Sequence, residues 1–301
     1  MTSDLAMSVA TEREAIGASL TMFCARYLDG IAVPVDDAIR YSLLGEGKRM
    51  RGILFLSAFT AAGGAPDAEG AADLAAAIEV VHAYSLVHDD LPCMDDDDVR
   101  RGRPTVHKVY GVPAATAAGL AMVPLAARCA ADAARTLGLD ERAVGTIVCD
   151  LMQASGAGGM IGGQLLDLEG EGTALPLEGL ERVHRAKTGA LITAAATLGG
   201  HAAAAPPARL EALAHYGAAV GLAFQIADDV LDITSTTDQL GKTAGRDLAL
   251  QKSTYPALLG IEGAKSRAEL LITEGCRALE RVGLLTPALT RIARFTVERT
   301  S

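Results

Sequence analysis

Apolar residues recur every three or four positions along most of the chain, which is the spacing of one face of an α-helix. Five long segments show this spacing and are rich in alanine, which favours helices. They lack the strict alternation of apolar and polar residues that marks a half-buried strand. The pattern predicts helices within residues 19–31, 71–87, 143–168, 209–233 and 256–279.

Stretches rich in glycine, proline and polar residues separate these segments. None is long or polar enough to predict a linker between domains, and 301 residues suffice for one large hydrophobic core. We therefore predict a single all-α domain, a helical bundle that spans residues 1–301. The separating stretches are GGAPDAEG (63–70), GEGTALPLEG (170–179), AAAAPPA (202–208) and the polar stretch 234–256.

Charge and cysteine content narrow the function classes. A net charge of −10, with no basic tract interleaved with aromatic residues, argues against a nucleic-acid partner. The five cysteines are scattered and form no CxxC pair, so we expect neither disulfides nor a zinc site and place the protein in the reducing cytoplasm. The start of the chain does not resemble a signal peptide. The uncharged run 110–127 is interpreted as a core helix with breaks, so no membrane span is expected.

The stretch HDDLPCMDDDDVRRGRP (88–104) concentrates aspartates at the end of an apolar segment. An acidic run is usually a solvated surface, but here the preceding helix must be buried. Two carboxylates about 6 Å apart repel by roughly 3 kcal/mol at an effective dielectric constant near 20, so a partly buried cluster needs cations. Oxygen ligands favour Mg²⁺, which also takes substrate phosphates as ligands. Pro92 should distort the helix between the two aspartate groups.

A second acidic group lies in FQIADDVLD (224–232). Asp228 and Asp232 are one helical turn apart and Asp229 lies three residues before Asp232, so all three lie on one edge of an otherwise apolar helix. One DDxxD sequence is a weak motif, whereas two on separate core helices are a strong pair. If the helices face each other, metal ions between them would bridge a polyanionic ligand.

A bridged polyanion also needs basic side chains, and arginine offers bidentate donors. GEGKRMRG (45–52) and the arginines that follow the first motif are candidates, although most exposed lysines and arginines are only surface residues. GEGKRMRG is not a P-loop. The candidate side chains are Lys48, Arg49, Arg51, Arg100, Arg101, Arg103, Lys187, Lys242 and Lys252.

Together, these motifs resemble the trans-isoprenyl diphosphate synthase (polyprenyl synthetase) family, most of all the bacterial farnesyl diphosphate synthases (geranyltranstransferases). The two aspartate motifs, GEGKRMRG, MIGGQLLDLEGE (160–171), HRAKTGALI (184–192) and LGKTAGRDLALQKSTYPALLG (240–260) occur in that family's order along nearly the whole chain. The resemblance implies an all-α fold around a deep central cavity, a homodimer, and three Mg²⁺ ions. It also implies that isopentenyl diphosphate is condensed with allylic diphosphates to give farnesyl diphosphate.

The resemblance assigns roles to matching residues. Asp89, Asp95 and Asp228 would hold Mg²⁺ on the allylic diphosphate, with Asp90, Asp229 and Asp232 nearby. The allylic substrate would meet Arg100, Lys187, Thr188, Gln225 and Lys242, with Gln164 and Asp167 lining the same region, and isopentenyl diphosphate would meet Lys48, Arg51, His82 and Arg101. The residues with expected catalytic roles are Asp89, Asp95, Arg100, Lys187, Asp228 and Lys242.

Product length depends on fewer residues. Tyr84 lies five residues, about 7.5 Å of helix, before Asp89, where a bulky side chain resembles the floor that limits short-chain members to farnesyl length. Ser85 is small and LPCM (91–94) resembles plant-type geranylgeranyl synthases, which leaves a longer product as the alternative. The family usually has aspartate where this chain has Leu120, after Gly119, so altered packing or polarity near the cavity is expected.

Other functions remain open. A class I terpene cyclase would share the fold and the first motif, but it normally carries an Asn/Ser/Glu-type second metal motif instead of DDVLD. A non-catalytic subunit would be expected to have lost an aspartate motif or the Lys48/Arg51 loop, and both are intact. A purely structural helical protein would not explain acidic residues at the ends of apolar helices.

Overall fold

The computed structural model describes residues 9–234 and 252–299. The described helices are α1 (Ala10–Tyr27), α2 (Val35–Leu43), α3 (Met50–Ala62), α4 (Ala71–Asp89), α5 (Val106–Tyr110), α6 (Val112–Thr136), α7 (Glu141–Ser155), α8 (Met160–Glu169), α9 (Leu177–His184), α10 (Ala190–Ala202), α11 (Pro207–Thr234), α12 (Tyr255–Arg281) and α13 (Pro287–Glu298). A π-helical turn, Arg185–Gly189, joins α9 to α10. A two-stranded antiparallel hairpin, β1 (Val99–Arg100) and β2 (Arg103–Pro104), precedes α5.

The all-α prediction is confirmed. The predicted helices occur, except that the segment 143–168 forms two helices, α7 and α8, separated by the glycines that follow Ser155. Helix α4 ends at Asp89, before Pro92, because proline cannot continue the hydrogen-bonded ladder. The hairpin was not predicted, and it carries the arginines that follow the first aspartate motif, which line a cavity together with residues of α4.

A contiguous hydrophobic cluster extends from Val9 to Phe295. Helix α4 packs against α6, α10 packs between α3 and α11, and α11 packs against α12. Small residues permit the close approaches: a Cβ added at Gly199 of α10 would lie 2.6 Å from the Phe55 carbonyl oxygen of α3. The core helices α4 and α11 each end in an aspartate motif, so packing of their apolar surfaces fixes the positions of both motifs.

The predicted run 110–127 breaks at Gly111, between α5 and α6, but from Val112 helix α6 continues without a break through Pro124. By length and composition alone it could cross a membrane, but ten of its residues are buried against the protein, as in an ordinary core helix. Gly119 of α6 admits the ring of His88, which lies 3.1 Å from the Thr116 carbonyl oxygen and ties the end of α4 to α6. Leu120 is 64% exposed on the surface of the chain, and the expected change of packing or polarity near the cavity stays a prediction.

Candidate active site

The first aspartate motif begins at the last residue of α4. Asp89 ends the helix, and the chain then turns so that the Asp95 amide donates to the Asp89 carbonyl at 2.8 Å. Burial raises the pKa of Asp89 to about 6; Lys187 opposes this rise and Asp95 adds to it. A carboxyl group whose charged form is disfavoured in this way favours a nearby cation. Asp89 and Asp95 form an acidic pair, and Lys187 and Arg100 are the cations that lower the pKa of Asp89.

Asp90, a predicted neighbour of the metal ions, is bound by another predicted site residue. Its buried carboxylate accepts a hydrogen bond from Arg100 Nε at 2.7 Å. Burial alone would lower the pKa of Arg100, but the hydrogen bond and the charge of Asp90 raise it above its ordinary value. A diphosphate that approached Arg100 would therefore share the guanidinium with Asp90.

In the second motif, Asp229 serves as an anchor between helices. Its buried Oδ2 accepts a hydrogen bond from the Tyr255 amide at 2.9 Å and lies 3.3 Å from His184 Nε2. The His184 and Tyr255 rings stack with centroids 5.9 Å apart. Asp229 thus joins α11 to the end of α9 and to the start of α12, and this carboxylate is already engaged by protein groups.

Asp228 is the more open member of the second motif. Its side chain is about one third exposed, and Arg299 Nη2 donates to Oδ1 at 2.5 Å. The same guanidinium donates to the Phe224 carbonyl at 3.0 Å and lies 3.9 Å from the centre of the Phe224 ring. Asp232, one turn after Asp228, is buried. Arg299 escaped the sequence analysis because it lies 71 residues from Asp228, with no local motif around it.

A cluster of opposite charges holds the lysine that faces the first motif. Lys187 Nζ donates to Asp167 Oδ2 at 2.6 Å, and Lys252 Nζ donates to the same oxygen at 2.9 Å. Burial would lower the pKa of Lys187, but Asp167, Asp89 and Asp95 raise it above its ordinary value. Lys252 was only one of many basic candidates in the sequence, and its contact with Asp167 gives it a place beside the site.

The π-helical turn determines where Lys187 lies. π-turns often occur at functional sites because the extra residue redirects a side chain within a helix. Thr188 belongs to the same turn and is half-buried. Gln164 lies on α8, three residues before Asp167. Its side chain is buried, and both of its polar atoms lack a hydrogen-bond partner. Such an unpaired amide is costly unless a ligand or water meets it.

We expect Gly163→Ala to damage this arrangement. A Cβ at residue 163 would lie 2.6 Å from the Ala186 carbonyl carbon and would overlap the Lys187 backbone. The turn must shift, which should cost about 1–3 kcal/mol of stability and reduce kcat about tenfold or more through displacement of Lys187. Thermal unfolding and steady-state kinetics would measure both changes.

Gly158→Ala is the matched control for that substitution. An added Cβ at residue 158 meets no atom within 4 Å, so stability and kcat should stay close to those of the unchanged protein. Equal losses in the two variants would show that close packing at Gly163 is not what positions Lys187.

The four residues predicted to meet isopentenyl diphosphate line one cavity of about 810 Å³. They are Lys48, Arg51, His82 and Arg101. Burial and the neighbouring arginines hold the pKa of His82 well below its ordinary value, so the ring is neutral at pH 7. His82 Nδ1 and Arg51 Nε are buried without a hydrogen-bond partner. A polyanion would relieve the repulsion among these cations and could accept the unpaired Arg51 donor.

The same cavity reaches the second aspartate motif. Asp228, Phe224 and Arg299 lie in its wall beside the basic residues. Burial lowers the pKa of Lys48; Arg299 lowers it further, whereas Asp228 raises it. Gln225, the residue after Phe224, is half-buried on α11. The basic loop, α4 and α11 therefore meet around one space, which is lined by Asp228 of the second motif and by Glu79 and His82 of α4.

Tyr84 lies in the core below the first motif. It is 6% exposed and packs edge-on against His88 with ring centres 5.3 Å apart. Burial raises the pKa of the Tyr84 hydroxyl, Asp89 adds to this rise, and a hydrogen bond with Ser155 opposes it. Ser85 donates to the His82 carbonyl at 2.9 Å and is half-buried. Tyr84 is thus the bulkier of the two predicted length-determining residues. Lys242, the remaining predicted site residue, lies outside the described residues.

The donor set fits a hard divalent cation. Asp89, Asp95 and Asp228 offer only oxygen atoms, which Mg²⁺ prefers, and it completes its coordination with water and phosphate. Among the described residues, the six predicted aspartate ligands do not draw their oxygens into one compact group. Their like charges favour this separation, and a diphosphate would supply the ligands that lie between them.

Two Glu-x-x-His sequences, Glu79 to His82 and Glu181 to His184, also carry the pattern that di-iron bundles use. Their side chains serve other contacts. Glu79 accepts from the Gly52 amide at 2.9 Å, while Glu181 accepts from the Tyr255 hydroxyl at 2.7 Å. Within the part of the chain that the structure describes, neither pair joins a group of three metal-ligating side chains. The arrangement does not support a di-iron centre.

Comparison with known proteins agrees with the site. Residues 33–282 match the family described as polyprenyl synthetase. The chain is 44% identical over 270 residues to the farnesyl diphosphate synthase of Escherichia coli (strain K12), covering 88% of this chain and 89% of that protein. It is 43% identical over 243 residues to the chloroplastic geranylgeranyl pyrophosphate synthase 9 of Arabidopsis thaliana, covering 80% and 67%.

The fold comparison includes a ligand-bound structure. A geranyltransferase from Helicobacter pylori, solved with magnesium and isoprenyl diphosphate, superposes with a TM-score of 0.82 at 31% identity. The superposition covers 99% of this chain and 97% of that chain. The likeness therefore extends over the helices that carry both aspartate motifs.

Proposed function

Since the chain belongs to the polyprenyl synthetase family of prenyl chain-elongating transferases, we propose that its product is farnesyl diphosphate. In this reaction isopentenyl diphosphate adds head-to-tail to dimethylallyl diphosphate and then to geranyl diphosphate. The proposed product length is inferred from Tyr84, a buried ring five residues before Asp89 in α4. Identity of 44% to a farnesyl diphosphate synthase supports the same choice.

The proposed allylic site lies between the two motifs. Asp89, Asp95 and Asp228 would hold Mg²⁺, with Asp90, Asp229 and Asp232 orienting or surrounding those ligands. When bound, Mg²⁺ supplies positive charge to the departing diphosphate. We propose three Mg²⁺ ions, the number that the family resemblance implies. The proposed diphosphate and substrate contacts are Arg100, Gln164, Asp167, Lys187, Thr188, Gln225 and Lys242.

The proposed isopentenyl diphosphate site is the basic part of the 810 Å³ cavity. Lys48, Arg51 and Arg101 would neutralise the diphosphate, and neutral His82 would hydrogen-bond to it. The allylic C–O bond breaks, the isopentenyl double bond forms the new C–C bond, and the released diphosphate takes the proton that leaves. No protein nucleophile is required, so these residues act by orientation, charge and exclusion of water.

A geranylgeranyl diphosphate synthase is the second candidate. Ser85 is small, and a geranylgeranyl synthase from Arabidopsis thaliana is 43% identical over 243 residues. The two candidates share every proposed metal and diphosphate contact, and they differ only in how far the growing chain can extend past Tyr84.

The first measurement is product chain length. We would incubate the purified protein with Mg²⁺, isopentenyl diphosphate and, separately, dimethylallyl, geranyl or farnesyl diphosphate, and identify the alcohols after phosphatase treatment. A C15 product that EDTA abolishes is expected. A C20 main product would favour the second candidate. If no primer led to consumption of isopentenyl diphosphate, elongation would be wrong, and a class I cyclase or a non-catalytic subunit would take its place.

A homodimer is part of the proposal. Helix α6 carries no charged residue between positions 112 and 127, and Val112 and Leu120 lie exposed on it. An exposed apolar helix face is typical of a protein interface. A second copy of the chain is the proposed partner, in the cytoplasm and with one isoprenoid synthase domain per chain.

Leu120→Glu should weaken this dimer. The exposed position tolerates a charge within one chain, whereas burial of that charge across an interface is unfavourable. Light scattering after size exclusion should show a mass near 62 kDa for the unchanged protein, twice the 31.0 kDa chain, and a monomer fraction for the variant. Arg142→Glu, which exchanges one exposed charge for another on α7, is the control. A monomeric unchanged protein would contradict the proposal.

A further inference from the structure

Another group of potential metal ligands lies outside the proposed catalytic site. One ring nitrogen of His107 and one carboxylate oxygen each of Asp96 and Asp98 lie within 4.8 Å of one another. Asp96 and Asp98 are exposed, whereas His107 is only 6% exposed. In the described part of the chain, these three residues are the group with metal-ligand spacing.

These aspartates interact with a different lysine from the one that faces the proposed catalytic pair. Asp96 has a left-handed backbone conformation (φ 50°), which turns the chain between Asp95 and the residues that follow. Asp95 raises the pKa of Lys187. Asp98, through a hydrogen bond and its charge, and Asp96, through its charge, raise the pKa of Lys108 instead. Neighbouring aspartates of one run thus interact with two different lysines, Lys187 and Lys108.

Hydrogen bonding prepares His107 to accept a cation. Thr105 Oγ1 gives its proton to the Asp97 carbonyl at 2.8 Å and lies 3.1 Å from His107 Nδ1, so it accepts the Nδ1 proton. In that tautomer Nε2 carries a lone pair, and Nε2 is buried without a hydrogen-bond partner. A ring nitrogen whose partner orients it in this way is the usual form of a metal-ligating histidine.

We propose that Asp96, Asp98 and His107 form a binding site for a divalent cation that is separate from the diphosphate-linked Mg²⁺ ions. Two carboxylates and an imidazole suit a borderline ion such as Zn²⁺ better than Mg²⁺. Ligands about 2.1 Å from a metal lie at most about 4.2 Å apart, so the two exposed aspartates need only small side-chain movements. Lys108, whose Nζ lies 2.7 Å from Asp98, is the competing cation.

Such an ion would connect the aspartate run to the helix that follows the hairpin. Asp98 and Thr105 are already paired, since the Thr105 amide donates to the Asp98 carbonyl at 3.0 Å. A metal ion bound to Asp96 and His107 would add a second connection between α5 and the loop that contains Asp95. The expected role is to fix the position of this loop before substrate arrives.

The test uses full-length protein, freed of metal with EDTA, and ZnCl₂ without any diphosphate. Zinc content by mass spectrometry and competition with a zinc indicator should show one tightly bound ion per chain. Asp96→Asn, Asp98→Asn and His107→Gln should each weaken binding about tenfold or more. Lys108→Ala should strengthen it, because the competing charge is removed.

Three matched variants separate this site from other zinc ligands. Asp97→Asn makes the same charge change within the run, Asp228→Asn alters the catalytic motif, and Cys93→Ser removes the exposed thiol of the loop. All three should retain the ion. If His107→Gln fails to fold, zinc binding by the variants at the exposed Asp96 and Asp98 decides whether the ion occupies this site. Undetectable zinc, unchanged affinity in both of those variants, or loss with Cys93→Ser would overturn the proposal.

Discussion

Asp89→Asn should make the substrate-free protein more stable and the enzyme nearly inactive. Burial raises the pKa of Asp89 to about 6, so at pH 7 the folded protein holds a charge in surroundings that disfavour it. Asparagine has nearly the same shape and no charge, and the change should add about 1–2 kcal/mol to the free energy of unfolding. The melting temperature should rise by about 2–4 °C or more.

Loss of activity follows from the same charge. The carboxylate that is unfavourable in the free protein is the one proposed to hold Mg²⁺ beside the departing diphosphate, and its loss should reduce kcat on the order of 10²–10³-fold. Calorimetry without Mg²⁺ or diphosphate and steady-state kinetics with both would measure the two effects. Asp150→Asn, at a carboxylate that lies 3.4 Å from His201 away from the site, should leave kcat unchanged.

Either of two results with Asp89→Asn would argue against this account. A variant that kept normal kcat would remove Asp89 from the proposed metal ligands. A variant that lost stability would show that the charged form is favoured in the folded protein, in contradiction to its raised pKa.

Local physical chemistry made the aspartate motifs predictable. Apolar spacing located α4 and α11, and Pro92 required that α4 end before it, so Asp89 was expected at the end of a buried helix. The convergence of Lys48, Arg51, His82 and Arg101 on one cavity agrees with the grouping that the family resemblance implied. For the aspartate motifs, the pattern within one or two segments carried the information.

Contacts between distant segments were harder to predict from the sequence. Lys252 and Asp167 are 85 residues apart, and Arg299 reaches Asp228 over 71 residues, so no local spacing indicates either pair. Of the breaks expected in the run 110–127, the one at Gly111 occurs and none occurs at Pro124, where burial of the alanine-rich face of α6 stabilises a continuous helix. The engagement of Asp229 by His184 and Tyr255 depends on the packing of three helices, which the DDxxD pattern does not express.

Tyr84→Ala should lengthen the product from C15 to C20 or beyond. Tyr84 fills core volume between His88 and Ser155, and its removal opens space along α4 in the direction away from Asp89. Each further condensation adds five carbons, and the apolar chain can occupy the space that the ring left. The truncation should also cost the free protein about 3 kcal/mol or more, as large-to-small core changes do.

Tyr84→Phe provides the control, because it keeps the ring and removes only the hydroxyl that bonds to Ser155. We expect it to retain the C15 product, which would assign the limit to ring volume and not to the hydrogen bond. Analysis of dephosphorylated products with dimethylallyl diphosphate as primer would compare the two variants. If Tyr84→Ala is active and still stops at C15, another part of the cavity limits the chain; if Tyr84→Phe lengthens the product, the hydroxyl contact sets the limit.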